Sequence, residues 1–324
     1  MYHALNPSLE LKVPPPPSTP PRLYSDPVAQ LSVTALTQTP QSASAKTPQS
    51  ASTKTPRSSR RKRESSAGVE GEDYVPCNGI TLRGQKCTRK VKRSLYQDVA
   101  FCYQHSDTLL ERVKFTSPKT GESVRFQDWI PDYLHRSTQI SLRAEMTKTR
   151  SDSDEDGYIY AYEIEKLGLD SNQIHIKVGR TTVLNNRIDQ WNKQCNSTEP
   201  NLLGWWPDGT HSDTVIRLMA GRVEAGRKGA LCHRLERLVH IELFDLAARN
   251  LHLDPAFPGD VDPDKIDDSD FFNRSRKTCI DCGRVHKEIF SFARAQDGPY
   301  KRKEWDLIVK PVIEKWGSFV EQFV

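Results

Sequence analysis

Two stretches of the sequence predict the fold: Tyr158-Ile-Tyr-Ala-Tyr-Glu-Ile164 and Ile174-His-Ile-Lys-Val178. In both, bulky or β-branched residues recur at every second position, which is typical of strands. Leu202-Leu-Gly-Trp-Trp206 and His286-Lys-Glu-Ile-Phe-Ser-Phe292 predict two more strands. Residues 231–248 carry leucines and a valine at helical spacing, and we expect a long helix there. The sequence therefore predicts a small α+β domain in which helices pack on a sheet.

Three other segments are predicted to be helical. Residues 183–195 and 124–134 carry apolar side chains about one helical turn apart. Residues 300–323 predict a pair of terminal helices that is broken near Pro311, because proline in a helix interior removes a backbone donor and clashes with the preceding turn.

Length and composition limit the class of protein. A chain of 324 residues corresponds to about two domains. Only 36% of the residues are hydrophobic, 27% are charged and 21 are proline, which indicates that part of the chain does not fold. There is no run of about 18 apolar residues for a membrane span and no secretory signal at the N-terminus. We expect an intracellular protein, whose net charge of +5 does not by itself indicate nucleic-acid binding.

Residues 1–70 are predicted to form a disordered tail. An eight-residue repeat, rich in Pro, Ser and Lys, has copies that begin at Thr39, Thr47 and Thr55. Each of these threonines precedes a proline, so we expect proline-directed kinases to act on the tail. The basic run Arg57–Arg63 predicts a nuclear-localisation signal or a contact with the DNA backbone, and a solvated charged linker is the alternative. The expected location is the nucleus.

Residues 74–106 contain a candidate zinc site. Cys77, Cys87, Cys102 and His105 follow the spacing Cys-x9-Cys-x14-Cys-x2-His. Three thiolates and one imidazole suit tetrahedral zinc, and a site with four protein ligands is structural rather than catalytic. The alternative is that the four residues form no site. In that case nothing explains why a segment with so few apolar residues would be ordered. Residues 107–156 are predicted to be a linker with a short helix.

A second Cys/His set lies near the C-terminal end of the chain. Cys279, Cys282 and His286 have the spacing Cys-x2-Cys-x3-His, which suits a second structural zinc. The candidates for its fourth ligand are Cys195 and, behind it, Cys232 and His240. A reduced, buried pair of thiols is the alternative. The chain is therefore expected to hold one or two zinc ions.

Five blocks between residues 157 and 292 form a recognisable pattern. They are Tyr158-Ile-Tyr160, Ile176-Lys-Val-Gly-Arg-Thr181, Arg187-Ile-Asp-Gln-Trp191 with Cys195, Leu235-Glu-Arg-Leu-Val-His240 and Cys282-Gly-Arg-Val-His-Lys-Glu288-Ile-Phe290. In this pattern the chain resembles the phage-T5 open-reading-frame-172 DNA-binding domain family, in the form found in fungal proteins. That family looks like a relative of the GIY-YIG nuclease domain. The resemblance implies a GIY-YIG-like sheet and DNA binding by residues 157–324.

The resemblance also implies a set of site residues. Tyr160 stands at the first motif tyrosine, Arg187 at the arginine that stabilises phosphate charge, and Glu236 at the glutamate that holds Mg²⁺ or Mn²⁺ in active nucleases. Lys177 replaces the second tyrosine, and Trp191 stands where many members have histidine. Each lost proton-transfer group is worth about 10²–10⁴-fold in rate. We expect DNA binding without efficient cleavage, and an active metal-dependent endonuclease is the alternative.

The residues themselves also predict an anion site. Lys177, Arg180 and Arg187 surround a strand-to-helix junction, where backbone N–H groups favour an anion. Contacts with phosphate give affinity rather than sequence specificity. The alternatives are a surface salt bridge for Arg187 and a helix-surface pair of Glu236 with His240. An open face of the three cations would favour nucleic acid, whereas salt-bridged arginines would favour a zinc-based adaptor that binds other proteins and no nucleic acid.

Overall fold

The structure is a computed structural model, and it describes part of the chain. The described residues are 74–92, 99–166, 172–184, 187, 190, 198–209, 215, 218, 224–259, 261–263 and 283–324. They all belong to one compact unit, Ser66–Val324. The predicted tail, with its kinase sites and basic run, lies outside the described residues.

The N-terminal third of this unit consists of two hairpins and two helices. Strands β1 (Tyr74–Pro76) and β2 (Lys90–Lys92) pair with each other and precede helix α1 (Tyr103–Glu111). Strands β3 (Lys114–Thr116) and β4 (Ser123–Arg125) form the second hairpin, which precedes helix α2 (Arg136–Met146).

The rest of the unit contains a four-stranded antiparallel sheet, two helices that are described along their whole length, and single helical residues between gaps in the described chain. Its strands and helices, in chain order, are β5 (Tyr158–Lys166), β6 (Gln173–Thr181), β7 (Thr198–Trp206), α3 (Cys232–Arg249), β8 (Ile289–Ala293) and α4 (Lys310–Phe323). The strand order in the sheet is β7-β5-β6-β8. The predicted α+β class is confirmed, as are the four strands and the long helix, although β8 begins three residues later than predicted. Among the described helices, none is long and apolar enough to cross a membrane.

The alternation in β5 separates two clusters of buried side chains. Ile159 and Ala161 belong to the main core, which also contains the leucines of α3 and the aromatic residues of α4. Tyr158, Tyr160 and Tyr162 belong to a second cluster. Successive side chains of a strand point to opposite faces, so the period-two pattern places apolar groups on both faces of the sheet. Both tryptophans of β7 are buried, as expected for core residues.

The helix predicted over residues 124–134 is wrong. Val124 lies in β4, opposite Phe115 of β3, and a short 3-10 turn follows at Phe126–Asp128. The apolar residues are buried as the pattern requires, but they pack from a hairpin and a turn. Pro131 disfavours helical geometry in the residue before it, so a helix could not continue through this segment.

The predicted break near Pro311 is also wrong. Pro311 lies in the first turn of α4, and a π-helical turn at Trp305–Val309 leads directly into that helix. The turn before Pro311 has the wider π-helical pattern, in which the N–H of Lys310 bonds to the carbonyl oxygen of Trp305, so the helix passes the proline through a local π turn rather than a break. One helix, rather than two, therefore ends the chain.

The segment predicted to be a linker contributes to the main core. Phe115 and Phe126 stack with ring centroids 5.2 Å apart, and Phe115 also contacts Phe319 of α4. The acidic stretch at its end has a structural role, because the two carboxylate oxygens of Asp154 accept hydrogen bonds from the backbone N–H groups of His233 and Arg234. These bonds satisfy donors at the start of α3, which has no cap of its own.

Candidate functional site

A pocket of about 670 Å³ lies where β5, β6, the helical residues 187 and 190, and α3 meet. All the residues assigned to the predicted nuclease-like site line this pocket: Tyr160, Lys177, Arg180, Arg187 and Glu236. Glu155, Gln190, Cys232, His233, His240, Lys287 and Glu288 also line it. The structure therefore brings together predicted site residues that are far apart in the chain. Tyr160 and Glu236, the two most distant, are separated by 76 positions.

Tyr160 and Arg187 form the inner wall of the pocket. Arg187 donates from Nε to the hydroxyl of Tyr160 at 2.9 Å and from Nη1 to Gln190 Oε1 at 3.3 Å. Burial raises the pKa of Tyr160, although the bond from Arg187 acts in the opposite direction. The hydroxyl therefore stays protonated at neutral pH. Gly179, the cross-strand partner of Tyr160, leaves room for it, since a Cβ there would lie 2.6 Å from the hydroxyl oxygen.

Lys177 is buried, with a side chain only 1% exposed. Its Nζ lies 2.6 Å from Glu288 Oε1. Burial acts to raise the pKa of Glu288, but the charge of Lys177 and its hydrogen bond outweigh burial and lower the pKa to about 2. This placement differs from the predicted phosphate contact, because a buried lysine that already has a carboxylate partner does not present an open cation.

Glu236 and His240 do not pair with each other, although they lie one turn apart on α3. Glu236 forms an ion pair with Arg180 of β6. His240 donates from Nε2 to the carbonyl oxygen of Val178 at 2.9 Å, and its ring packs against Phe290. Burial lowers the pKa of His240, so the ring is neutral at pH 7 and its Nδ1 is an acceptor. Glu236 is thus a carboxylate that is held by an arginine, and His240 is a neutral imidazole.

The charges of the pocket are mixed, with an excess of one cation. Lys177, Arg180, Arg187 and Lys287 face Glu155, Glu236 and Glu288. The predicted open face of three cations is therefore absent from the described pocket, because each cation has a partner: Glu288, Glu236, or Tyr160 with Gln190. An anion that enters this pocket must compete with Glu236 for Arg180, whereas Arg187 is held only by neutral groups among the described residues.

The thiol of Cys232 lies at the base of the pocket, where α3 begins. Burial is the main reason that its pKa is raised to about 12, so the thiol is protonated and unreactive at neutral pH. The ligand atoms of Asp154, Cys232 and His233 lie within 4.8 Å of one another. Asp154, however, already accepts the two backbone hydrogen bonds that cap α3. This group is therefore explained by helix capping.

The first Cys/His set is brought together as the spacing predicts. Its four ligand atoms lie within 4.8 Å of one another. His105 Nδ1 is 3.3 Å from Cys102 Sγ and 3.4 Å from Cys77 Sγ, and the Sγ atoms of Cys87 and Cys102 are 4.0 Å apart. Ligands on a zinc tetrahedron with bonds of about 2.0–2.3 Å are separated by about 3.5–3.8 Å. The set therefore has the size of a zinc site.

The surroundings of the set also fit a metal. His105 Nε2 donates to the carbonyl oxygen of Ile80 at 3.0 Å, which leaves the lone pair of Nδ1 directed at the thiols. Gly79 is required beside this ring, because a Cβ there would lie 2.2 Å from His105 Cγ. Burial acts to raise the pKa of Cys102, but hydrogen bonds from His105 and Arg89 lower it to about 6. The lowered pKa favours a thiolate at Cys102, whereas burial raises the pKa of Cys77.

The second predicted zinc set cannot be placed as a whole. Cys195, Cys279 and Cys282 lie outside the described residues. His286 is described, and its Nδ1 lies 3.4 Å from Glu288 Oε1, beside the pocket.

Residues 173–254 match the family model described as meiotically up-regulated gene 113. This family is related to GIY-YIG-like domains. The match runs from β6 to the 3-10 turn after α3, so it contains Lys177, Arg180, Arg187 and Glu236 but neither Tyr160 nor the zinc set. No curated protein and no solved structure matches the chain. The finer resemblance to the phage-T5 family and the zinc module stays a prediction.

Sequence analysis did not identify Glu288 as a functional residue. It lies within the last block of the recognised pattern, directly before β8, but nothing in its neighbours indicates a partner. The signal was Lys177, since a lysine between the apolar residues Ile176 and Val178 of a central strand requires a counter-charge if it is buried. The pairing of β6 with β8 supplies that carboxylate.

Proposed function

We propose that the pocket binds the phosphate backbone of nucleic acid, so that this chain is a zinc-stabilised DNA-binding protein of the nucleus with a GIY-YIG-like domain. The observation that carries the proposal is the convergence of Tyr160, Arg187 and Glu236 in one pocket beside Arg180. The ion pairs of Lys177 and Arg180 favour the protein-binding adaptor instead, so the proposal depends on Arg187, whose described hydrogen bonds go to neutral groups. The family match over residues 173–254 supports a nuclease-like domain.

Arg187 is the residue on which binding depends most. Its two described hydrogen bonds go to neutral oxygens, and the carboxylate of Glu288 acts on it only through its charge, so the guanidinium can bind a phosphate without breaking an ion pair. The bond with Tyr160 holds the guanidinium in place before any ligand arrives, which reduces the entropy lost on binding. Arg180 becomes available to the same phosphate when it leaves Glu236.

A metal-dependent endonuclease is the second candidate, and Glu236 is the observation in its favour. Its carboxylate lines the pocket near Arg187 and is the group that would hold Mg²⁺ or Mn²⁺. In this structure the carboxylate is paired with Arg180. Lys177 and Glu288 neutralise each other, so neither has the properties of a water-activating tyrosine. These two features favour binding over cleavage.

We expect opposite effects from two substitutions in the pocket. Arg187→Ala should weaken DNA binding and lower the log–log slope of affinity against salt by about 0.9, the effect of one lost phosphate contact. Glu236→Ala should tighten binding, because it removes a carboxylate and releases Arg180. Fluorescence anisotropy on duplex DNA at several salt concentrations measures both.

The control for charge alone is Arg125→Ala, which removes an exposed arginine whose partner is Asp128. This variant should keep the wild-type slope. Plasmid nicking with Mg²⁺ or Mn²⁺ separates the two candidate functions. If the wild type nicks DNA and Glu236→Ala abolishes nicking, the endonuclease function is correct and the binding-only proposal is wrong.

A further inference from the structure

The segment that carries the first Cys/His set has an unusual surface. Residues 74–92 contain five cations and no carboxylate: Arg83, Lys86, Arg89, Lys90 and Lys92. All five of these residues are exposed. Three of the nine exposed large apolar side chains among the described residues lie in the same range, Tyr74, Ile80 and Leu82, and a fourth is Tyr103 at the start of α1. Such a combination of exposed apolar groups and one sign of charge marks an interaction surface.

The pairing of β1 with β2 sets the outward face of this surface. Tyr74 lies opposite Lys92, and Pro76 lies opposite Lys90. Both strands alternate between exposed and half-buried residues, and these four residues occupy the exposed positions. Cross-strand partners share a face, so Tyr74, Lys90 and Lys92 occupy exposed positions on the same face of the hairpin.

Arg89, directly before β2 in the chain, and Tyr103 of α1 form a second exposed feature of this zinc-set segment. The guanidinium carbon of Arg89 lies 5.1 Å from the centre of the Tyr103 ring, which is within the range of a cation–π contact. Arg89 Nη1 also donates to Cys102 Sγ at 3.8 Å, so the zinc ligand set holds this pair in position. Tyr103 is 67% exposed in spite of the contact.

We propose that this surface, defined by Arg89, Lys90, Lys92 and Tyr103, binds single-stranded nucleic acid separately from the pocket. Lysines next to an aromatic ring suit this ligand, because the lysines contact phosphates while an unpaired base stacks on the ring. An anionic membrane or an acidic protein would match the charge but would not require the exposed ring with its stacked arginine.

The test is a salt-dependent anisotropy titration of the zinc-loaded full chain with labelled oligodeoxythymidine. Lys90→Ala/Lys92→Ala should lower the log–log salt slope by about 1.4, the effect of two lost contacts with a single strand. Lys301→Ala/Lys303→Ala is the matched control, since these lysines have the same spacing and are also exposed. The control should keep the wild-type slope.

The ring is tested separately. Tyr103→Leu should weaken binding about tenfold through lost stacking, whereas Tyr103→Phe should keep wild-type affinity. Metal analysis of each variant verifies that zinc is retained, so that a loss of affinity reports on the surface rather than on the fold of the segment.

Three results would overturn this proposal. One is an unchanged slope in Lys90→Ala/Lys92→Ala or an equal loss in the lysine control. Another is wild-type affinity in Tyr103→Leu. The third is binding to phosphatidylserine vesicles that the same variants lose while oligonucleotide binding persists, which would assign the surface to membranes.

Combination with Arg187→Ala distinguishes this surface from the pocket. If both surfaces bind, the variant that combines Lys90→Ala, Lys92→Ala and Arg187→Ala should show the sum of the two decreases in the log–log salt slope, as expected for independent sites. If only the double lysine variant lowers the slope, the pocket proposal fails and the present one stands. If only Arg187→Ala lowers it, the present proposal fails and that for the pocket stands.

Discussion

Removal of zinc is expected to unfold residues 74–111 while the rest of the described unit stays folded. The buried positions of the segment that carries the ligands are mainly the ligands themselves and their neighbours, Cys77, Gly79, Ala100 and Cys102. Helix α1 has no buried residue. Structural zinc contributes about 10–16 kcal/mol in small zinc-binding peptides, far more than this segment can gain from apolar burial. Hydrogen exchange with and without a chelator measures the effect.

The strands and helices that pack in the main core are expected to stay folded when zinc is removed. None of the four ligands belongs to it, and it extends from Phe115 to Val320. Amide protection in β5, β6 and α3 should therefore persist in the chelator. Full protection of α1 in metal-free protein would contradict the prediction.

A pair of cysteine substitutions makes the same test without a chelator. Cys102→Ser should lower the zinc content by one ion per chain and remove the protection of α1. Cys232→Ser is the matched control, because this thiol is equally buried but lies outside the set. The protection of α1 in this variant should equal that of the wild type, since Cys232 lies outside the segment of the first set.

Loss of the buried ion pair in the pocket is expected to have the second largest effect. Glu288→Gln leaves the ammonium of Lys177 buried without its counter-charge, and removal of one partner of such a pair costs about 3–5 kcal/mol. We expect the free energy of unfolding to fall by about 3 kcal/mol, at the lower end because Glu288 is partly exposed. Urea denaturation at neutral pH measures this change.

Two further variants identify the cause of that loss. Lys177→Met/Glu288→Gln should recover to within about 1 kcal/mol of the wild type, since apolar replacement of a whole buried pair is often nearly neutral. Asp128→Asn breaks an exposed pair with Arg125 and should cost about 0–1 kcal/mol. Equal losses in the single and double pocket variants would show that the charge pair is not the source of the stability.

The contribution of Glu288 should also depend on pH. Its pKa is lowered from 4.5 to about 2, so the carboxylate stabilises the folded state above about pH 4.5. That stabilisation is lost as the pH falls from 4.5 towards 2 and the group becomes protonated in the folded protein. The difference in stability between the wild type and Glu288→Gln should therefore shrink over the same range.

Local patterns in the sequence were sufficient for the strands and for the zinc set. The alternation at residues 158–164 reflects the two faces of a strand, and the spacing of Cys77, Cys87, Cys102 and His105 reflects ligands that a short chain can wrap around one metal. In both cases the information lies in neighbouring residues, so a single sequence contains it. The motif order also grouped Tyr160, Arg187 and Glu236, and all three line one pocket.

Partners far apart in the chain were decided only by the tertiary structure. Nothing near Lys177 indicates that Glu288, 111 residues away, would bury and neutralise it. Nothing near Asp154 indicates that it caps a helix about 80 residues later. The apolar spacing of residues 124–134 predicts a helix, but Val124 pairs with Phe115 in a hairpin, a partner that the spacing does not indicate. Periodicity shows which side chains are buried, but the charge and shape of what they meet depend on elements that only the folded chain brings together.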